Sequence, residues 1–231
     1  MISCKTFINI RSISVYMAGK DAEVKRKVRE TYDYISDHFN ATRNYMWKEC
    51  TEFIENASKN SAFLDIGCGN GRNSLHALEH GFKVVSCDIS SAQLKVVRTK
   101  TEKDSRNLSL VQCDASFLPL KPASFDHVLF IAAIHHLPSE KERIESLEEI
   151  RRVLKPEGKV LVSAWVFDQP RFKGISEEKR DIMLKWDKRY DRFYHLFCKG
   201  ELEDICRKAG FDIISSFRAQ DNYYVEVSKK Y

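Results

Sequence analysis

The chain has 231 residues, 43% hydrophobic and 11% aromatic, and its 38 basic and 33 acidic side chains leave a formal charge of +5. That apolar share supports one core of ordinary domain size and excludes a wholly disordered chain. The longest apolar runs, such as Val128 to Ile134, are too short to cross a bilayer, and no internal repeat points to a solenoid or propeller.

Seven cysteines, at 4, 50, 68, 87, 113, 198 and 206, include no CxxC pair. Neither a disulfide framework nor a four-cysteine zinc site is expected, no metal is assigned, and reduced thiols fit a cytoplasmic location. Residues 1–20 hold Lys5, Arg11 and Lys20 with no acid. They read as a disordered extension, a transit-like leader or a start placed ahead of Met17, and are given no structural role. Residues 21–231 read as a single domain.

Val24, Val28, Ile35 and Phe39 recur at helical spacing among charges and predict a first helix. A second, over Asn44–Ala57, would bury Trp47, Phe53 and Ile54. The pattern then changes to short runs rich in Val, Ile and Leu: Ala62–Ile66, Lys83–Cys87, Leu108–Cys113, His127–Ile134 and Lys159–Val166. Helical stretches near 71–80, 90–103 and 139–154 separate them, the last stopped by Lys155-Pro-Glu-Gly158. This alternation predicts a parallel sheet covered on both faces. After Val166 it lapses through an insertion, 167–198, that holds Trp186, Tyr190, Phe193, Tyr194 and Phe197. A helix at Glu201–Ala209 and a hairpin of Asp212–Phe217 with Tyr223–Val227 close the chain. The expected fold is α/β, a Rossmann-like doubly wound sheet of seven strands with an antiparallel last hairpin, N-terminal helices and a lid-like insertion.

Charge is uneven along this plan. Residues 1–48 carry nine Lys/Arg against five acids, 49–165 fifteen against sixteen, and 166–231 fourteen against twelve. The stretch Arg171–Lys199 has nine basic and five acidic residues. It reads either as a solvated helix face or as a surface for a polyanion such as RNA.

Phe63-Leu-Asp-Ile-Gly-Cys-Gly-Asn-Gly71 places three glycines at alternate positions between a strand and a helix, where backbone can approach a ligand. The spacing GxGxG differs from the dinucleotide fingerprint. Asp65, inside the strand end, would repel a pyrophosphate and favour a ligand carrying an ammonium and a sulfonium. Asp88 ends the next strand, where a carboxylate can accept ribose hydroxyls or cap the helix starting at Ser90. Asp114, with Ala115, follows the third strand and could take an adenine amino group. All three acids fall at one rim of one sheet, the usual ligand edge of such folds.

With these motifs the chain resembles the class I S-adenosylmethionine-dependent methyltransferases, through its LDIGCGNG, CDIS, CDASFLP and RRVLKPEGKVLVSAW segments. The resemblance implies S-adenosyl-L-methionine as cofactor. It assigns Asp65, Gly67 and Gly69 to the methionine part, Asp88 to the ribose, and Asp114 and Ala115 to the adenine, with Ile89 also counted among the cofactor-binding residues.

Outside that core, Tyr34–Arg43 (YISDHFNATR) with Trp47, Ile134-His-His-Leu137, Ala164-Trp165, Arg192–Phe197 (RFYHLF) before Gly200-Glu-Leu202, and Gln220–Val225 (QDNYYV) resemble one subfamily. It is that of the tRNA wobble-uridine methyltransferases, which esterify a 5-carboxymethyl group and work with a small zinc-binding activator subunit. The insertion is short, whereas some eukaryotic relatives carry long charged ones. A carboxylate acceptor is already ionised at neutral pH, so positioning is required and a general base is not. Arg43, Arg192, His136 and His195 suit the holding of that carboxylate, with His135 the alternative to His136, and Tyr194, Trp165 or Phe193 could stack a base. The activator is expected along Leu108-Ser-Leu-Val-Gln112, an uncharged edge strand that nothing in its own sequence protects. The main alternative is a small-molecule methyltransferase of the same fold. A further one is a non-catalytic RNA-binding relative.

Overall fold

A computed structural model of the chain describes residues 8–9, 19–43, 45–101 and 106–229. In chain order its elements are β1 (Ile8–Asn9), α1 (Lys20–Thr42), α2 (Lys48–Glu55), β2 (Ala62–Ile66), α3 (Arg72–Glu79), β3 (Lys83–Asp88), α4 (Ser91–Lys100) and β4 (Leu108–Gln112). There follow β5 (Phe125–Ile131), α5 (Glu140–Val153), β6 (Leu154–Trp165), β7 (Asp181–Trp186), β8 (Tyr190–His195), α6 (Glu201–Lys208), β9 (Phe211–Ala219) and β10 (Asn222–Lys229).

The main sheet runs β1-β4-β3-β2-β5-β6-β10-β9. Strands β1 through β6 in it pair in parallel, and β10 is antiparallel to both of its neighbours. Chain order reverses between β2 and β5, which opens a crevice beyond the carboxyl ends of those strands. The seven expected strands and the closing hairpin are present.

Two cores flank the sheet, and strand periodicity fills both. Leu64, Phe130 and Val162 join one core while their immediate neighbours Phe63, Leu129 and Leu161 join the other. This is why the central strands read as unbroken apolar runs. The first core is closed by Leu147 and Ile150 of α5 with Leu202 and Ile205 of α6, the second by Ile54, Ala77, Leu94 and Val97. Truncating a fully buried leucine such as Leu64 to alanine costs about 2–5 kcal/mol in cores of this kind. Helix α5 opens with a Ser139 cap that accepts the Glu142 N–H at 3.3 Å.

Three expectations are corrected. The buried stripe of α1 is Lys25, Val28, Thr31 and Ile35, so Val24 and Phe39 are only partly buried. The insertion folds as a hairpin of β7 and β8 and forms no helix in its basic stretch beyond two 3-10 turns. Finally, β4 is not the sheet edge along its whole length, because Ile8 pairs with Val111 and Asn9 with Gln112 in parallel. A segment given no structural role therefore supplies an eighth strand. Residues 1–7 and 10–18 lie outside the described residues, and with them the rest of the reading for 1–20. Among the described residues no helix is long and apolar enough to cross a membrane.

The hairpin rests on α1. Thr31 Oγ1 donates to the Asp191 carbonyl at 3.0 Å, and the rings of Tyr34 and Tyr190 lie 4.1 Å apart. Helix and hairpin together roof the crevice.

Candidate active site

One cavity occupies the crevice. Its floor includes Gly67, Gly69, Asp88, Ile89, Asp114 and Ala115, and its other side includes Arg43, His135, His136, Trp165, Arg192 and Tyr194. Nine of the eleven predicted site residues thus meet in one place; Asp65 and His195 are the exceptions.

The glycine turn is built for close approach. Gly67, Gly69 and Gly71 have φ of +64°, +53° and +78°, a region that side chains disfavour. A Cβ on Gly67 would lie 2.5 Å from Ala133 Cβ, and one on Gly71 would lie 2.7 Å from Val97 Cγ2. Asp88 fastens the turn. Its Oδ2 accepts the Gly69 N–H at 2.9 Å and its Oδ1 the Ser90 N–H at 2.8 Å. Burial raises this carboxyl to about 6 in spite of the two donors, with Asp33 adding to the rise. Ser90, not Asp88, is the helix cap, accepting from the Gln93 N–H. Asp33 of α1 reinforces it by accepting from Ser90 Oγ at 2.7 Å and the Ala92 N–H at 3.0 Å.

Asp65 departs from its expected role. It does not line the cavity, and its Oδ2 accepts from Ser74 Oγ at 2.6 Å, while Ser86 Oγ donates on to Ser74 at 2.7 Å. Burial pushes its carboxyl up to about 7. The acid ties β2 to the first turn of α3.

Asp114 is paired more tightly than its sequence context suggests. Lys25 Nζ lies 2.7 Å from its Oδ2 and 2.6 Å from Glu142 Oε2, with both Lys25 and Asp114 buried. Asp114 Oδ1 accepts the Ser116 N–H at 3.0 Å. Burial alone would lower the Lys25 ammonium, but Asp114 and Glu142 more than compensate and raise it.

On the opposite wall, His136 Nδ1 donates to the Phe193 carbonyl at 2.7 Å, because a carbonyl can only accept. Its Nε2 consequently accepts from the Tyr32 hydroxyl at 2.8 Å. Burial, aided by the charge of Arg192, lowers the ring to about 3, so it is neutral with both nitrogens engaged. The neighbouring His135 is the better placed of the two. Its Nδ1 accepts the Trp165 N–H at 3.2 Å, which leaves the proton on Nε2, and burial holds it neutral as well. Tyr194 stacks against both His135 and Trp165, at 4.9 and 4.5 Å.

Arg192 is buried, 8% exposed, yet among the described residues no carboxylate pairs with it. Its Nε is buried without a partner, and Nη1 reaches only the Tyr32 hydroxyl at 3.5 Å. The guanidinium lies 4.6 Å over the Trp186 ring, and that of Arg43 lies 5.3 Å from the same ring. Two cations thus converge on one indole at the cavity wall. Trp186 is itself fixed by donating Nε1–H to His38 Nδ1 at 3.0 Å.

His195 is corrected outright. It does not line the cavity and is clamped between Asp181 Oδ1 at 2.6 Å and Glu201 Oε1 at 2.7 Å. Burial would raise the Glu201 carboxyl, but the bonds from His195 and the Cys198 N–H, with the charges of His195 and Arg180, hold it at about 2. His195 fastens the hairpin to α6.

Lys25, Tyr32, Asp33 and Trp186 were not singled out for the site from the sequence. The only signal for Lys25 was its place one residue from the predicted apolar stripe of α1. Ile182, Leu184 and Trp186 alternate with Asp181, Met183 and Lys185, a strand signal that would have found β7.

The sequence profile of the methyltransferase domain matches residues 64–162. A methyltransferase of Encephalitozoon cuniculi is 31% identical over 89% of this chain and 96% of its own. A tRNA (carboxymethyluridine(34)-5-O)-methyltransferase of Schizosaccharomyces pombe is 28% identical, with 87% and 96% covered. The alkbh8 protein of Xenopus tropicalis, which bears the same enzyme name, is 27% identical over 91% of this chain, which spans 42% of that longer protein. Among solved structures, a methyltransferase in complex with the Haloferax volcanii Trm112 methyltransferase activator matches with a TM-score of 0.71 at 17% identity, covering 88% of this chain and 98% of the other. The 1,6-didemethyltoxoflavin-N1-methyltransferase of Burkholderia thailandensis, solved with S-adenosylhomocysteine, matches with 0.72 at 19% identity, over 98% and 99%. At these identities the two structures speak for the fold.

Proposed function

The chain belongs to the class I S-adenosylmethionine-dependent methyltransferases, and from that premise we propose that it esterifies the carboxylate of 5-carboxymethyluridine, or a related derivative, at the wobble position of tRNA. The observation that carries this reading is Arg192, a buried cation on the cavity wall with an unpartnered Nε and, among the described residues, no carboxylate paired with it. A buried unpaired charge is costly unless a counter-ion arrives, and an anionic acceptor is that counter-ion.

The floor fits the cofactor. Gly67 and Gly69 bring bare backbone to the cavity, and Asp88 offers a carboxylate beside them for ribose hydroxyls. Asp114, Ala115 and Ile89 border the base position, with Lys25 holding Asp114 in place. When bound, S-adenosylmethionine supplies a methyl group activated on sulfonium.

The chain's own residues do the rest by positioning. Arg192 and Arg43 draw the acceptor carboxylate, and His135 Nε2–H donates a further hydrogen bond to it. Trp165 and Tyr194 offer aromatic faces to an unpaired pyrimidine. No side chain has to remove a proton, because the carboxylate arrives ionised. The neutral state of His136, with its lone pair held by Tyr32, agrees with that division of work. The same groups align the acceptor oxygen and shield it from water, which is what a displacement at carbon requires.

A small zinc-binding activator subunit belongs to the same reading, supported by the activator complex among the structural matches. It would add along Leu108–Gln112 and compete with Ile8–Asn9 for Val111 and Gln112.

The deciding experiment offers the protein, with S-adenosylmethionine, bulk tRNA from cells that lack it, then digests the tRNA to nucleosides. A carboxymethyluridine that gains one methyl by mass spectrometry is the expected result. No gain on tRNA, with transfer to a small carboxylic acid instead, overturns the tRNA assignment.

A further inference from the structure

Away from the cavity, Glu55, His76 and His80 bring three potential ligand atoms within 4.8 Å of one another. None of the three lines the candidate active site. From this cluster we infer that the chain carries a zinc site joining the end of α2 to the end of α3.

The two histidines sit four residues apart, one helical turn, so their rings share a face and lie 4.4 Å apart. Glu55, the last residue of α2, points its Oε1 between them, 3.5 Å from His76 Nε2 and 3.9 Å from His80 Nε2. Tetrahedral zinc with bonds of about 2.0–2.1 Å holds its ligands roughly 3.3 Å apart. The observed separations are close to that spacing, and small side-chain rotations would complete it. Two imidazoles and one carboxylate form a donor set suited to zinc, with water free to take the fourth position.

The ring protons are arranged for metal binding. His80 Nδ1 donates to the His76 carbonyl at 2.9 Å, which leaves Nε2, on the side facing Glu55, as the atom free to take a metal. A metal-bound histidine typically makes such a bond with its other nitrogen. His76 Nε2 is buried and has no hydrogen-bond partner, although a carboxylate oxygen lies 3.5 Å away. Its Nδ1 faces Glu79 Oε2 at 3.7 Å, the carboxylate partner often found behind a ligating imidazole. An ion between the three groups would satisfy the orphaned nitrogen and explain why both Nε2 atoms converge on one oxygen.

The position gives the site a task. At the other end of the same two helices, Arg72 of α3 lies 4.2 Å over the Trp47 ring and donates to the Tyr45 carbonyl at 3.0 Å. Arg72 and the zinc would thus hold α2 against α3 at both ends. Trp47 lines the cavity and α3 begins at the glycine turn, so the clasp would stiffen the frame behind the cofactor cradle.

The test is a zinc titration of the untagged, metal-stripped full chain by calorimetry, with Co²⁺ as a spectroscopic probe. One equivalent of zinc is expected to bind, and at a hundredfold excess over Kd the thermal midpoint should rise by about 5–10 °C. Glu55→Gln, His76→Gln and His80→Gln, each checked for fold by circular dichroism, should each weaken zinc at least tenfold. Cobalt should give visible bands without thiolate charge transfer. Absence of saturable binding overturns the inference. So does a thiolate band, or retention of zinc by the His76→Gln/His80→Gln double variant, either of which would assign the metal to cysteines. None of these readouts depends on methyl transfer.

Discussion

Asp88 Oδ2 accepts the Gly69 N–H at 2.9 Å, so the acid that ends one strand clamps the turn that ends its neighbour. The same carboxylate lines the cavity. Its effect on a ligand and its effect on the turn are therefore joined, and substitutions there separate from those on the opposite wall.

Asp88→Ala should weaken S-adenosylmethionine binding by about 1.5–3 kcal/mol, the loss expected for hydrogen bonds to a charged group. With the carboxyl at about 6 in the free protein, affinity should fall as pH drops below 6, because a protonated carboxyl no longer accepts both hydroxyls as an anion. Calorimetry across pH 5–8 checks this, and Asp88→Asn should flatten the profile.

Asp65 predicts a stability effect of definite sign. Its carboxyl is about 7 when folded against an ordinary 3.8, so between those values the folded chain holds a proton that the unfolded chain has lost. Stability from this group is present at low pH and falls as pH rises through 7, by up to about 4 kcal/mol. Asp65→Asn keeps an acceptor for Ser74 and should remove that slope. Thermal midpoints of both proteins from pH 4 to 8 test it.

Arg192→Ala should reduce turnover on tRNA about a hundredfold or more while leaving cofactor affinity within a factor of about three. Arg192→Lys keeps the charge but loses the planar fork and should recover only part of the rate. Steady-state kinetics beside cofactor calorimetry distinguishes this from a general fold defect, and wild-type turnover in Arg192→Ala would make the residue structural.

His195→Gln should act on stability and not on cofactor binding. Losing the clamp between Asp181 and Glu201 is expected to cost about 1–3 kcal/mol. Glu201, held at about 2 against an ordinary 4.5, stabilises the fold above pH 4.5, and that contribution is lost as pH falls toward 2. Urea titrations should show the variant approaching wild type at the acid end. Abolished turnover at full stability would return His195 to the acceptor site.

Strand positions were legible because each central strand feeds two cores at once, making every residue of Ala62–Ile66 or Val128–Ile131 apolar or structurally committed. The acids at the sheet rim were legible for the same topological reason, since Asp88 and Asp114 end or follow strands that must finish side by side. What escaped depended on partners distant in the chain. Lys25 lies among charges and reads as solvated, yet it is buried because Asp114, far along the sequence, meets it. His195 carries the residue type expected of a site and sits in a distinctive RFYHLF block. Only the fold reveals that Asp181 and Glu201 claim both of its nitrogens.

Helix α1 contributes Lys25 to Asp114, Tyr32 to His136 and Asp33 to Ser90. These three contacts reach the base side of the floor, the acceptor wall and the helix behind Asp88. A rigid rod that touches all three cannot lift from one without disturbing the others. A displacement of α1 at one contact would therefore be felt at the other two, and binding steps that each order this helix would be coupled equally in both directions.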